Sequence, residues 1–187
     1  ILKYLDQKKH LGIHTQVITD GFLPLLKKKV ITNKKKTHNP GRFVVSLCMG
    51  SRELYEYVND NPIFYFRSSE YVNDPTVIAL NDNLISISSA LEVDLTGQVC
   101  MDSLGYLFYS GIGDQVDFLR GSAMSKGGFS IIALPSTARN GEISRIVPHL
   151  SEGAGVATTR GDIDIIVTEY GIAEIRRKSI SQRVMEL

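Results

Sequence analysis

The chain has no tryptophan, only two cysteines and only six prolines in 187 residues. Two cysteines are too few for the disulfide framework that holds small secreted folds together. Neither a Cys-x-x-Cys pair nor a Cys/His cluster occurs, so nothing here implies a metal site. Cys48 and Cys100 both lie in apolar, strand-like surroundings, where free thiols of a reducing compartment are expected. The first residues lack the pattern of a signal peptide, and the expected location is the cytoplasm. No apolar run approaches the ~20 residues that a membrane-spanning helix needs. The net charge is only +1, which gives no electrostatic case for nucleic acid as a partner. Two lysine runs, 27–29 and 34–36, carry no interleaved arginines or aromatics and are expected to be a solvated surface.

What is present suits an ordinary globular chain: 43% hydrophobic and 22% charged residues, enough for one domain with a buried core. Strand-like and helix-like segments alternate along it. Leu2, Leu5 and Lys8-Lys9 suggest a helix closed at Gly12. Phe22, Leu25, Leu26 and Val30 recur at helical spacing, with Pro24 tolerable in the first turn. Phe43–Cys48 is a continuous apolar run, as a strand covered on both faces requires. Ile63–Phe66 follows as a short strand, and Asn73-Asp74-Pro75 precedes a helix from about Thr76. Leu84–Leu95 alternates as one long strand, with Val99–Phe108 as its hairpin partner across Thr96-Gly97-Gln98. Phe129–Leu134, Ser144–Val147, Gly155–Thr159 and Ile163–Thr168 read as strands, and Ser179 opens a final helix. The fold class is therefore α/β, an open mixed β-sheet flanked by helices.

Three strand-to-helix turns stand out, because in open α/β sheets such turns line the ligand crevice. The first is Gly12-Ile13-His14-Thr15-Gln16-Val17-Ile18-Thr19-Asp20-Gly21, with Asp20 placed to cap the helical segment after it and His14 on the same strand face as Gln16. The second is Met49-Gly50-Ser51, where Ser51 suits a helix N-cap. The third is Gly111-Ile112-Gly113-Asp114-Gln115. Glycines ahead of a helix let backbone N–H groups approach a carbonyl oxygen or a phosphate, and the helix end adds partial positive charge. Lys126-Gly127-Gly128 either ends a helix or offers a cation to a phosphate.

These segments, in this order, resemble the acetyl-CoA hydrolase/transferase family, the class I CoA-transferases of the 4-hydroxybutyrate and acetate type. The resemblance continues through Ser86–Val99, Ser110–Phe118, Ser125–Gly128, Ser144–Pro148 and Val167–Ala173. It implies the C-terminal CoA-transferase domain, NagB/RpiA-like in fold, over residues 1–187. Ile1 and Leu187 both fall within helical patterns, so a fragment is expected, with a missing N-terminal domain as partner and a homo-oligomer as the assembly. The implied substrates are acyl-CoA and a small carboxylate, with no metal.

In that chemistry a glutamate carboxylate attacks the acyl thioester, the C–S bond breaks, and a mixed anhydride and CoA thiolate result. The thiolate then attacks the enzyme carbonyl, releasing the acyl carboxylate and leaving a glutamyl-CoA thioester. The position matching that glutamate is Gln16. Its amide keeps the size of glutamate but is a far weaker nucleophile, so the chain as written is expected to be inactive. An engineered substitution, a natural change of activity, or a nucleophile elsewhere (Glu70 or Glu92) would each account for it. The resemblance places Gly113 and Asp114 at the oxyanion, although the family commonly has glycine where Asp114 stands. It places Met49, Gly50, Ser51, Gly111, Gly113, Gln115 and Lys126 along the CoA crevice. Acetyl-CoA hydrolysis and non-catalytic binding of CoA or acyl-CoA are the alternatives.

Overall fold

The computed structural model describes residues 1–187 and divides into two compact units, Ile1–Asp82 and Asn83–Leu187. Each has its own hydrophobic core.

The first unit holds strands β1 (His14–Ile18), β2 (Phe43–Cys48) and β3 (Phe64–Phe66), with helices α1 (Leu23–Lys27), α2 (Arg52–Val58), α3 (Ser69–Val72) and α4 (Pro75–Ala79). The three strands pair in parallel in the order β1-β2-β3. Parallel neighbours need crossover connections, and α1 and α2 supply them. The apolar run of β2 is central, and Phe43, Val44 and Val45 are wholly buried. Phe22 and Phe64 pack on Phe43 with ring centroids 5.4 and 5.3 Å away, and Leu54 of α2 joins the same core. Pro24 stands in the first turn of α1, where its missing N–H costs nothing.

The second unit begins with β4 (Ile85–Ser88), β5 (Glu92–Asp94), β6 (Val99–Cys100), β7 (Ser103–Leu104) and β8 (Leu107–Phe108). Helix α5 (Gln115–Met124) and β9 (Phe129–Ala133) follow, then β10 (Thr137–Ala138), β11 (Ile143–Ser144) and β12 (Ile146–Val147). The chain ends with β13 (Ile165–Thr168), β14 (Gly171–Glu174) and α6 (Ile180–Glu186). The main sheet has the order β14-β13-β9-β4, parallel except for the β13–β14 hairpin. A second sheet has the order β12-β5-β6. Ile132 and Ile166 of the main sheet pack with Val93 and Val99 of the second and with Leu119 of α5.

The α/β class with open, mixed sheets is as expected, and β2, α2 and the start of α6 fall where the sequence puts them. Ser144–Val147, expected as one strand, divides between β11 and β12 in different sheets, and four further details differ. Residues 2–4 form one short 3-10 turn rather than a helix reaching Gly12, since so short a segment cannot offset the cost of nucleation. The expected long strand 84–95 is β4 and β5, which belong to different sheets and are separated at Ser89-Ala90-Leu91. The expected partner 99–108 pairs with β5 only through β6, in the register Glu92↔Cys100 and Val93↔Val99, and then folds on itself as the β7–β8 hairpin. Residues 155–159 make only a single bridge, Val99 to Thr158.

Candidate functional site

Gln16 lies in the middle of β1, half-buried, on the strand face of His14 and Ile18, which are both buried. The strand is held at both ends by side chains. At its start, Ile13 N donates to Asn33 Oδ1 at 2.8 Å, and Lys36 Nζ donates to Ile13 O at 2.7 Å and to Arg42 O at 3.0 Å. Lys36 thus departs from the solvated surface expected of its lysine run. Its stem crosses Gly12 so closely that a Cβ there would stand 2.4 Å from Lys36 Cγ. Burial lowers the Lys36 pKa to about 8. Sequence offers one signal for this: glycine where the lysine passes. Lysines 27 and 28 keep to the surface, in ion pairs with Glu53 and Asp6.

At the far end of β1, Asp20 caps no helix of its own. Its carboxylate accepts from Ser51 N at 3.0–3.1 Å and from Ser51 Oγ at 2.7 Å. Ser51 in turn caps α2 as expected, accepting from Leu54 N at 3.4 Å. A carboxylate at the N-terminus of a helix is electrostatically favourable, so Asp20 ties the end of β1 to the start of α2. Gly50 is enclosed by that tie: a Cβ would stand 2.7 Å from Leu54 Cδ2 and 2.9 Å from the Asp20 oxygens. Local packing explains this glycine completely. Met49 is exposed, its N–H bonded to Ile18 O at 3.0 Å. A shallow cavity of about 430 Å³ lies over this junction, lined by Asp20, Leu23, Pro24, Lys27, Ser51 and Glu53.

His14 is buried, and its Nε2 donates to Val72 O at 2.7 Å. Burial lowers its pKa to about 4, with Lys36 and His38 adding to the effect and the Val72 carbonyl opposing it. It is a neutral imidazole that joins β1 to α3. Of the two alternative carboxylates, Glu70 is exposed in the first turn of α3. Glu92 is buried and accepts from Ser151 N at 2.9 Å and Ser151 Oγ at 2.5 Å, as a structural charge does.

In the second unit the glycine loop joins the β7–β8 hairpin to α5. Gly111, Ile112 and Gly113 are exposed, and their N–H groups donate to no group of this unit. Gly113 has φ +65°, a backbone that glycine adopts without strain. Around Gly111 and Gly113 nothing stands within 4 Å of where a Cβ would be, so packing inside the unit explains neither glycine. Asp114 is half-buried at the N-cap of α5. Burial raises its carboxyl pKa, and Asp117 adds to this, while its own backbone N–H opposes it.

Gln115 is buried rather than presented to the crevice. Its Nε2 donates to Ser89 O at 2.7 Å, and its Oε1 accepts from Thr158 Oγ1 at 2.9 Å. Thr158 is a residue that sequence reasoning missed, because its importance rests on a contact 43 positions away. Since Ser89 directly follows β4, the loop lies by the C-terminal end of a parallel strand, where open α/β sheets bind ligands. Lys126 is exposed in a tight turn: its carbonyl accepts from Asn83 N at 2.8 Å, and Gly128 packs against the carbonyls of Ser122 and Leu84. A second cavity, about 680 Å³, is lined by Leu95, Ser136, Ile146, Thr168, Tyr170 and Ile172 and includes none of the expected site residues. The expected residues thus form two groups, Gln16 with Met49–Ser51 in one unit and Gly111–Gln115 with Lys126 in the other. No group of three or more His, Cys, Asp or Glu stands as a metal ligand set, and no helix is long and apolar enough to cross a membrane.

Residues 50–187 match the model of the acetyl-CoA hydrolase/transferase C-terminal domain. Over all 187 residues the chain is 51% identical to 4-hydroxybutyrate coenzyme A transferase of Clostridium kluyveri, of which it covers 44%. It is 46% identical to succinyl-CoA:cyclohexane-1-carboxylate CoA transferase of Geobacter metallireducens, again over its whole length and 43% of the relative. Among solved structures, 4-hydroxybutyrate CoA-transferase of Porphyromonas gingivalis superposes with a TM-score of 0.85 at 45% identity, over 98% of this chain and 42% of the other. The chain therefore spans rather more than two fifths of the length of these relatives. It belongs to the acetyl-CoA hydrolase/transferase family, an enzyme family of CoA-transferases and acetyl-CoA hydrolases, and carries that family's C-terminal domain.

Proposed function

We propose that the chain has the site of an acyl-CoA:carboxylate CoA-transferase of the acetate or 4-hydroxybutyrate type, inactive as written because of Gln16, with the Gly111–Gly113 amides receiving the thioester oxygen. The observation that carries this reading is the exposed trio of N–H groups without internal acceptors, at the start of a ten-residue helix. Oriented N–H donors are what a developing oxyanion requires, and a side chain at either glycine would stand between them and the ligand. Residue 16 takes the position of the covalent carboxylate. With glutamine there, the chain holds acyl-CoA without forming the anhydride or the glutamyl-CoA thioester.

On this reading the chain acts as the C-terminal part of a two-domain fold, whose remaining length the relatives carry outside the matched region. Gln16 also favours a second reading, a non-catalytic acyl-CoA-binding protein in which glutamine is the working residue. Acetyl-CoA hydrolysis would use the same intermediate and differ in letting water reach it.

One comparison separates these. The protein with Gln16 and the Gln16→Glu variant are incubated with acetyl-CoA and a panel of carboxylates, scoring acyl exchange and a covalent CoA adduct by intact mass. Adduct and exchange confined to Gln16→Glu make residue 16 the nucleophile position. Equal turnover in both forms overturns that assignment. Acetyl-CoA binding without turnover in either form supports the binding protein, and acetate release without an acceptor supports hydrolysis.

A further inference from the structure

The glycine loop is anchored at both ends. At its start, Asp102 O accepts from Tyr109 N at 2.8 Å and from Ser110 N at 3.3 Å. At its end stands the carboxamide of Gln115, 3% exposed and bonded at both of its heavy atoms, to Ser89 O and Thr158 Oγ1. Between these anchors, Gly111 and Gly113 have no neighbours within 4 Å of a Cβ position, so packing at the two glycines does not fix them. The buried anchor at Gln115 is the one that ties it to the sheets.

We propose that Gln115 is a positioning residue for the acyl thioester: its carboxamide, held between Ser89 and Thr158, sets where the Gly111–Gly113 N–H groups point. The inference rests on the reading of that loop as the thioester site. Gln115 does not touch the ligand in this role, because both ends of its amide are already committed. The chemistry of the two partners explains the residue type. Ser89 offers a carbonyl, which needs a donor, and Thr158 offers a hydroxyl proton, which needs an acceptor. A carboxamide of this length supplies both, an ionised glutamate lacks the donor, and leucine lacks both. The two partners also tie the loop to the framework. Ser89 directly follows β4, and Thr158, wholly buried, exchanges main-chain hydrogen bonds with Val99 of β6 at 3.0–3.1 Å.

The test is equilibrium binding of acetyl-CoA and of free CoA to the full chain, with Gln16 retained so that no transfer intervenes. Gln115→Leu and Thr158→Val are each expected to weaken acetyl-CoA about tenfold, the effect of a buried polar group left without its partner, while free CoA stays within about twofold. Thr158→Ser, which keeps the hydroxyl, restores acetyl-CoA binding. If Gln115→Leu fails to fold, the Thr158→Val and Thr158→Ser pair carries the test alone. Equal weakening of acetyl-CoA and CoA means a general structural role and overturns the proposal. Gly111→Ala is run alongside. If it weakens acetyl-CoA while Gln115→Leu and Thr158→Val do not, the positioning role fails and the loop reading stands. If Gly111→Ala changes nothing, the loop reading itself fails and takes the positioning role with it.

Discussion

A neutral histidine opens the strand that carries residue 16. His14 has a pKa of about 4 in the fold against about 6.5 when exposed, chiefly because burial disfavours its charged form. Between those values the unfolded chain binds a proton that the folded chain does not, so stability rises with pH across that window and is lost as pH falls through it. The shift corresponds to on the order of 3 kcal/mol in total. Denaturant midpoints measured from pH 7 down to 4 are expected to fall accordingly, and His14→Gln should remove most of that slope. A slope unchanged in the variant would assign it to other groups. Lys36 makes the complementary point. In sequence it is one of three consecutive lysines and cannot be told from its neighbours. In the fold its Nζ meets two main-chain carbonyls, and its stem occupies the space above Gly12. Gly12→Ala is therefore expected to displace Lys36 and cost about 1–3 kcal/mol, the usual range for forcing an extra carbon into a filled space, read as a lowered thermal midpoint.

At the scale of the element, turn glycines that look alike in sequence divide by what surrounds them. Gly50 and Gly128 are enclosed by side chains or carbonyls, while Gly111 faces open space. Gly50→Ala should accordingly destabilise by about 1–3 kcal/mol. Gly111→Ala should leave stability within about 0.5 kcal/mol, as a surface substitution does. Thermal melts of the two variants side by side decide this, and a matching loss in Gly111→Ala would mean that the loop is packed after all. Asp20 is a second case. Sequence suggests a cap for the turn beside it, but its carboxylate crosses to Ser51, 31 positions away. Asp20→Ala should cost roughly 1 kcal/mol through the loose start of α2. The long strand expected over 84–95 shows the limit of periodicity. Alternation continues through Ser88 and Ser89, yet the chain leaves one sheet there for another, and alternation carries no information about which neighbour each half will find.

Over the whole molecule, the two cores hold most of the buried apolar side chains, and each unit contains one cysteine. Cys48 is half-buried, its thiol pKa raised by burial and by Asp20, whereas Cys100 is wholly buried. Alkylation of the native protein at pH 8 should mark Cys48 slowly and Cys100 only when the second unit opens. Prompt labelling of Cys100 would contradict the packing of β6. By itself the sequence determined the α/β class, the family, the start and end of β2 and the cap that starts α2. All of these depend on local pattern: apolar periods, capping residues and the order of short motifs. Only the tertiary structure decided which glycines are packed and which are open, that Lys36 and Asp20 hold the two ends of β1, and that Gln115 faces inward to Thr158. Those are contacts between residues 23 to 43 positions apart, and no local preference encodes the partner that folding brings.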